Sequence, residues 1–164
     1  MTNKAYRYSS FFLLLLLLTA FVPPQELSGR VVAVLDGDTI DVLRSDNTSV
    51  RIRFNGIDAP EKDQPYGQKS KTHLSGLVFN QTVRVEYSST DRYGRILGDV
   101  FVGETKTALW VNKEMIDAGL AWHYKQYNSD DRLALAEDAA RQAKRGLWAG
   151  PGPIAPWEWR KSKR

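Results

Sequence analysis

The sequence predicts a mainly β fold with helices, of the α+β class: a five-stranded Greek-key barrel of the OB type plus about three α-helices. Two observations predict it. Five short segments alternate apolar and polar residues or are bounded by turn residues, as half-buried strands are. One helical segment is inserted after the third strand, whereas a parallel sheet would need helices that alternate with strands throughout.

The first three strands are predicted within residues 30–54. "RVVAVLDGDTIDVL" (residues 30–43) forms two strands joined at Asp36-Gly37, a dipeptide common in tight hairpin turns. "SDNT" (residues 45–48) predicts the second turn. "VRIRF" (residues 50–54) alternates, so that its apolar residues face the core and Arg53 points away from it.

A helix and two further strands complete the predicted barrel. Residues 66–80 have a helical pattern, with an apolar face of Leu74, Leu77 and Val78. "TVRVEY" (residues 82–87) is an alternating strand, and "DRYGR" (residues 91–95) is a turn into the strand Ile96–Val102.

Two more helices are predicted after the barrel strands. The first lies near Asn112–Ala118 and ends at Gly119, the residue type preferred just past a helix C-terminus. The second begins with Ser129 as N-cap and Asp130-Asp131 in its first turn, and ends at Gly146. Its apolar face consists of Leu133, Ala136, Ala140 and Ala143.

The chain divides into a leader, one domain and a tail. Lys4 and Arg7 precede the apolar run Phe11–Val22, which is typical of a signal peptide and short for a spanning helix. We therefore predict a signal peptide or N-terminal anchor over residues 1–24, the barrel domain over residues 25–149, and a Pro/Trp/basic tail over residues 150–164. Export to the periplasm or the medium is expected; the alternatives are retention as a membrane anchor and an ordinary N-terminal helix.

Composition excludes several classes of site. The chain has no cysteine, which excludes disulfides, thiol enzymes and thiolate zinc sites. Its two histidines, His73 and His123, do not form an H-E-x-x-H motif, so a zinc site would be short of ligands. Both are read as helix-surface or packed side chains.

Net charge is weak evidence for a nucleic-acid partner. Removing residues 1–22, with Lys4 and Arg7, lowers the formal net charge from +4 to +2. The four basic residues of "RKSKR" at the C-terminus exceed that remainder. This tail, with Trp157 and Trp159, either binds nucleic acid by stacking and phosphate contact or caps the barrel. Tyr124 and Tyr127 either stack on a base or pack under the last helix.

Charged residues cluster at predicted strand ends and turns. They are Asp36, Asp38, Arg53, Asp58, Glu61, Asp91, Arg92 and Arg95. Each alone fits a turn or a surface ion pair, but together they are the mixture that a nuclease needs. Carboxylates hold a divalent cation, arginines grip phosphate bidentately, and a further carboxylate takes a proton from water. The competing interpretations are a non-catalytic OB module that binds nucleic acid or protein, and a phosphodiesterase for a small anionic substrate.

Six segments resemble the staphylococcal nuclease (thermonuclease) family, in that family's order. They are "VLDGDTIDV", "RIRFNGIDAPE", "YGQKSK", "DRYGR", "NKEMIDAGLAW" and "RGLW", which together extend over most of residues 31–148. The resemblance implies the five-stranded OB barrel with three helices. It also implies a phosphodiesterase that requires Ca²⁺ rather than Mg²⁺, acts on DNA and RNA, and leaves 5′-hydroxyl and 3′-phosphate ends. A monomer is expected.

The resemblance also implies the roles of individual residues. Asp38, Asp58 and the backbone carbonyl of Ala59 would hold the metal, and Asp36 would support its water shell. Arg53 would grip the phosphate, Glu61 would orient or deprotonate the attacking water, and Arg95 would stabilise the transition state and the leaving 5′-oxygen. Arg92 and Tyr93 would contact a terminal phosphate. The chain departs from the family in Ala59, often Thr, and in a shorter loop after Glu61.

Overall fold

The computed structural model describes residues 24–163, so the predicted leader lies outside the described residues except for its last position. The described residues contain eight strands: β1 (Gln25–Val34), β2 (Thr39–Leu43), β3 (Ser49–Phe54), β4 (Ile57–Asp58), β5 (Thr82–Thr90), β6 (Ile96–Val102), β7 (Leu109–Trp110) and β8 (Trp122–His123). The α-helices are α1 (Gly67–Val78), α2 (Val111–Asp117), α3 (Asp131–Gln142) and α4 (Pro156–Ser162), and a 3-10 helix covers Gly146–Ala149. Within residues 24–163, no helix has the length and apolar character needed to cross a bilayer.

The predicted five-stranded barrel is confirmed. β1, β2 and β3 form an antiparallel meander, and β5 pairs with β1 on one side and β6 on the other. β3 then pairs with β6 in parallel, with Ile52 opposite Ile96, which closes the sheet on itself. Bulges in β1 and β5 bend the strands at points where a closed barrel requires strong curvature. α1 follows the third barrel strand, as predicted.

The barrel interior follows the alternation read from the sequence. Ile52 and Phe54 are buried, and Arg53 between them lies off the core. The strands are longer than the pattern alone predicts: β1 begins at Gln25 rather than residue 30, and β5 continues to Thr90. Both extensions come from the long β1–β5 and β5–β6 ladders, which residue patterning within one strand does not reveal.

A two-stranded sheet outside the barrel was not predicted. Gly56 has φ +73°, a left-handed conformation that favours glycine, and it turns the chain back directly after β3. The next two residues form β4, which pairs with β8 so that Asp58 lies opposite Trp122. This pairing places a carboxylate from the β3–α1 connection beside the aromatic residues that follow α2.

The boundaries of α3 correct the prediction. Asp130, not Ser129, is the N-cap, and its carboxylate accepts a hydrogen bond from the backbone N–H of Arg132 at 2.8 Å. The Asn128 side chain accepts the N–H of Asp130, which keeps the chain extended for one residue longer. The helix ends at Gln142, and Gly146 instead begins the 3-10 helix.

A fourth helix replaces part of the predicted tail, so the prediction of about three helices was one short. α4 begins with Pro156, whose missing N–H costs nothing at a first helical position. Seven residues are too few for helix propensity to suffice. Packing supplies the remaining stabilisation of α4. Trp157 contacts a hydrophobic cluster outside the barrel interior, formed by Trp122, Ala140, Leu147, Trp148 and Ala155.

Candidate active site

Two buried carboxylates share one guanidinium group at the end of the barrel. Arg53 Nη2 donates to Asp58 Oδ1 at 2.8 Å, and its Nη1 lies 3.1 Å from Asp38 Oδ2. Arg53 Nη1 also donates to the carbonyl of Ile57 at 2.8 Å. The three charged side chains are almost inaccessible, with 13% of Arg53, 7% of Asp38 and 2% of Asp58 exposed. The alternation of β3 therefore points Arg53 away from the core and into an acidic site.

Local structure holds Asp38 in place. It follows the β1–β2 turn, where Asp36 Oδ1 accepts the backbone N–H of Asp38 at 3.0 Å. Gly37 is required by close approach, because a Cβ there would collide with the hydroxyl of Ser70 on α1. Asp38 Oδ2 also accepts the backbone N–H of Ala59 at 2.6 Å, which joins the turn to the segment after β4.

Burial raises the pKa of Asp38 from 3.8 to about 7. Loss of hydration is the largest cause, because it disfavours the charged form. The positive charge of Arg53 opposes this effect, while the negative charges of Asp36 and Asp58 add to it. The surroundings therefore disfavour the charged form of Asp38 in the metal-free protein.

We expect the metal-free protein to lose stability as pH rises from about 4 to about 7. In that range the unfolded chain releases the Asp38 proton, whereas the folded chain retains it up to a pKa of about 7. The folded state binds more protons, so its free energy of unfolding falls with pH, by at most about 1.4 kcal/mol per unit from this group. Urea unfolding in chelator at several pH values measures the slope. Asp38→Asn should remove that contribution.

Asp46→Asn is the matched control for this measurement. Asp46 is exposed, and hydrogen bonds from Thr48 lower its pKa, so its contribution has the opposite sign. Stability from Asp46 is present above the unfolded pKa and is lost as pH falls. If wild type and Asp38→Asn show the same decline between pH 4 and 7, the Asp38 carboxyl is not the group that titrates.

Glu61 lies at the rim of the pair and contacts an arginine that sequence reasoning did not assign to the site. Arg160 Nη1 donates to Glu61 Oε1 at 2.7 Å. The same guanidinium donates from Nη2 to Asp58 Oδ2 at 2.8 Å and from Nη1 to Asp58 Oδ1 at 3.3 Å. The Glu61 side chain is 38% exposed, so it borders solvent where a substrate would enter.

Arg95 lies in the β5–β6 turn, directly before β6, and not in the acidic pair itself. Its Nε donates to Asp91 Oδ2 at 2.7 Å, within the β5–β6 turn. Leu97, two residues further along, pairs with Arg53 in the parallel β3–β6 ladder, which places the turn next to β3. To reach a phosphate beside Arg53, the guanidinium would have to leave Asp91.

The same turn presents Arg92 and Tyr93 to solvent. The Arg92 guanidinium lies 4.8 Å from the centre of the Tyr93 ring, and Tyr93 is 70% exposed. The structure thus brings together Asp36, Asp38, Arg53, Asp58, Ala59 and Glu61, and it places Arg92, Tyr93 and Arg95 at a neighbouring turn.

The donor set fits a hard divalent cation. Within residues 24–163, no group of three or more His, Cys, Asp or Glu side chains is arranged to hold a metal ion. A cation here would therefore rely on the carboxylates of Asp38 and Asp58 together with backbone and water oxygens, the ligand type that Ca²⁺ and Mg²⁺ prefer. The burial of both carboxylates supports such a site, because a bound cation would offset buried negative charge.

The two histidines have structural surroundings. His123 is buried, and its Nε2 lies 3.1 Å from Asn128 Oδ1. His73 lies on α1, with its ring Nε2 4.0 Å from Glu114. The ring contacts described here are made to Asn128 and Glu114, and not to Asp38 or Asp58.

The tail packs against the site, and it supplies the residues that sequence reasoning missed. Trp157 stacks on Tyr124 with ring centres 5.1 Å apart and planes 2° apart, so Tyr124 packs under α4 rather than standing free. Tyr127 stays 70% exposed. One feature of the sequence could have indicated this packing: Trp157 and Arg160 are three residues apart, which places an aromatic and a basic residue on one helix face.

Comparison with known proteins gives a family match that begins in β3 and ends just past the 3-10 helix. The family described as staphylococcal nuclease homologue matches residues 51–150. An uncharacterized endonuclease of Escherichia coli is 50% identical over 138 residues, which are 84% of this chain and 88% of that protein.

Two further relatives carry nuclease names. The micrococcal nuclease of Shigella flexneri is 40% identical over 144 residues, covering 83% of this chain and 82% of that protein. A staphylococcal-like nuclease of Arabidopsis thaliana is 43% identical over 114 residues, covering 70% of this chain but 34% of the plant protein.

Proposed function

Because the chain belongs to the family of staphylococcal nuclease homologues and is a nuclease, we propose that it is an exported, Ca²⁺-dependent endonuclease of low sequence specificity. Its proposed substrates are DNA, RNA or both. The nuclease-named relatives favour an enzyme over the non-catalytic binding module. The observation that carries the metal-dependent mechanism is the guanidinium of Arg53 held between the buried carboxylates of Asp38 and Asp58, with Glu61 beside them.

This arrangement suits a reaction limited by electrostatics. A phosphodiester is anionic and repels hydroxide, so its hydrolysis requires positive charge at the phosphate and a base at the water. Asp38, Asp58 and the carbonyl of Ala59 are the proposed ligands of the cation, with Asp36 behind them at its water shell. Bound there, Ca²⁺ would supply Lewis-acid polarisation of a phosphoryl oxygen.

The protein's own groups carry the remaining steps. Arg53 would grip the phosphate with its planar guanidinium, whose Nη1 is held by the carbonyls of Phe54 and Ile57 and whose Nη2 would have to share or release Asp58. Glu61 takes a proton from the water that attacks phosphorus. The bond from phosphorus to the 5′-oxygen breaks, which leaves a 3′-phosphate on one strand and, after protonation, a 5′-hydroxyl on the other.

The β5–β6 turn supplies the remaining proposed substrate contacts. Arg95 would stabilise charge on the phosphorane and on the leaving 5′-oxygen after releasing Asp91. Arg92 and Tyr93 are exposed beside it and would contact a terminal phosphate. A long polyanion that runs past this turn would meet three side chains without any base-specific contact, which is consistent with low sequence specificity.

Localisation outside the cytoplasm suits the proposed cation site. Two carboxylate ligands give weak Ca²⁺ binding, and extracellular modules work at roughly 10⁻⁴–10⁻³ M. Such a site would stay empty at resting cytosolic Ca²⁺ and fill in an outer compartment. The proposal therefore places a monomeric enzyme in the periplasm or the medium, with the apolar run Phe11–Val22 as signal peptide or membrane anchor.

Digestion of plasmid DNA and of RNA by the full chain, with Ca²⁺ or with chelator, tests the proposed function. Both substrates should be cut in Ca²⁺, and chelator should abolish cutting because the buried carboxylates then face the phosphate uncompensated. The products should accept a 5′-phosphate from a polynucleotide kinase without phosphatase treatment. Cutting that continues in chelator, or products that need phosphatase first, would overturn the metal dependence or the end chemistry respectively.

A further inference from the structure

The C-terminal helix brings a basic residue into the acidic site. Arg160 lies on α4, 99 positions from Glu61, yet its guanidinium makes one hydrogen bond to Glu61 and two to Asp58. Asp58 is only 2% exposed, and both of its oxygens accept from this one group. Such a paired, charge-assisted contact fixes geometry far better than a solvated surface ion pair.

Aromatic packing determines where α4 lies. Trp157 stacks on Tyr124, and it also meets Trp122 edge-on with ring centres 5.6 Å apart. Trp122 is in turn opposite Asp58 in the β4–β8 pair. Residues three apart on a helix share a face, so the docking of Trp157 carries Arg160 to the carboxylates.

Residues on both sides of Arg160 also contact the loop that bears Glu61. Gln64 Nε2 donates to the carbonyl of Ile154 at 2.7 Å, and Gln64 Oε1 accepts the backbone N–H of Glu61 at 3.1 Å. Trp159 Nε1 donates to Asp63 at 3.3 Å, and Lys163 pairs with the same carboxylate. The helix and the Glu61 loop therefore form one packed unit.

We propose that Arg160 is a positioning residue of the active site, which acts by holding the carboxylate of Glu61 at a set distance and direction from Asp58. This inference rests on the proposed function, since it assigns a partner to the proposed base. Glu61 is 38% exposed and has several rotatable bonds, so without a partner its carboxylate would sample many orientations. A base that is displaced by about 1 Å can cost about 10²-fold in rate.

Replacement of Arg160 should lower kcat and leave substrate binding nearly unchanged. For Arg160→Gln we expect kcat to fall roughly tenfold to a hundredfold, the usual cost of losing a group that orients an active-site side chain. KM for DNA should change by less than about threefold, because the lost contact is to Glu61 and Asp58 rather than to substrate. Arg160→Lys should recover only part of the rate, since an ammonium cannot span both carboxylates as a planar fork does.

Lys161→Gln is the matched control. Lys161 is the neighbour of Arg160 on α4, carries the same charge, and pairs with Glu158 rather than with the site. It should keep wild-type kcat if position rather than overall charge matters. Thermal unfolding of each variant shows whether a lower rate comes from the lost contact or from loss of the folded structure. In a separate experiment, millimolar guanidinium ion should restore part of the rate of Arg160→Ala. A purely structural role would not respond to that ion.

A double-mutant cycle with Glu61→Gln decides how Arg160 acts. If Arg160 works through Glu61, its replacement should have almost no further effect once the Glu61 carboxylate is gone. Losses that multiply would instead show that Arg160 acts directly on substrate or metal. Increased activity or tighter Ca²⁺ binding in Arg160→Gln would show that it blocks the site. Either of these last two results would overturn the inference about Arg160. Neither would affect the wild-type assay with Ca²⁺ and chelator, which tests the proposed function separately.

Discussion

Glu61→Gln is expected to lower kcat by about 10²–10⁴-fold, the range that general-base catalysis usually contributes. Glutamine has the same shape, and its amide oxygen can still accept the hydrogen bond that Arg160 donates at 2.7 Å. What it cannot do is take a proton from water. The fold, the proposed metal site and substrate binding should therefore survive, and the loss should fall on kcat. Single-turnover digestion at saturating Ca²⁺ measures the chemical step directly.

Glu104→Gln serves as the control for that experiment. Glu104 is exposed in the connection between β6 and β7, so the same change of charge there should leave kcat unaltered. If Glu61→Gln keeps a rate within about threefold of wild type, another group accepts the proton and the assigned mechanism is wrong. Equal losses in both variants would indicate a general effect of net charge on a polyanionic substrate.

The barrel was predictable because its evidence is local. Alternation in residues 50–54 assigns Ile52 and Phe54 to the interior and Arg53 to the opposite side, and the structure confirms this division. The turn at Asp36-Gly37 was also correct, although its glycine is required by the approach of Ser70 rather than by an unusual φ. The helix inserted after the third strand then limited the ways in which the five strands could connect into a closed barrel.

The features that sequence reasoning missed depend on contacts between distant residues. β4 and β8 have two residues each, so neither carries a pattern, and they exist because Ile57 and His123 pair across 66 positions. α4 is similar: seven residues after a Pro/Gly-rich stretch form a helix because aromatic packing on Tyr124 stabilises it. Arg160 was counted as a basic tail residue for the same reason.

The candidate site was predicted unevenly. Asp38, Asp58, Arg53 and Glu61 meet because each lies at or close to the end of a strand: Asp38 precedes β2, Arg53 is next to last in β3, Asp58 ends β4 and Glu61 follows it. Arg95 lies in the neighbouring β5–β6 turn and is bound to Asp91, a local ion pair of four-residue spacing that the segment "DRYGR" already suggested. Its proposed role thus requires a rearrangement that a sequence motif cannot reveal.

Arg53→Gln should abolish most activity and also destabilise the metal-free protein. The guanidinium offsets two carboxylates that are 7% and 2% exposed; its loss would leave Asp38 buried without this partner and Asp58 paired with Arg160 alone. Breaking a buried ion pair by removing one partner costs about 3–5 kcal/mol. Loss of the fork that is proposed to grip the phosphate should lower kcat/KM by about 10²–10³-fold, as removal of a single transition-state donor does. Urea unfolding in chelator and digestion at saturating Ca²⁺ measure the two effects.

Ca²⁺ should separate these two losses. A cation that binds the folded state at Asp38 and Asp58 adds stability as its concentration exceeds Kd, so it should restore much of the free energy of unfolding that Arg53→Gln removes. It should not restore activity, because a metal held by the carboxylates does not replace a second grip on the phosphate. Arg51→Gln is the control, since that side chain lies on the same strand in a half-exposed pair with Asp41 and should matter little. If saturating Ca²⁺ returned Arg53→Gln to wild-type kcat, Arg53 would be a structural counter-ion for the two carboxylates and no part of the chemistry.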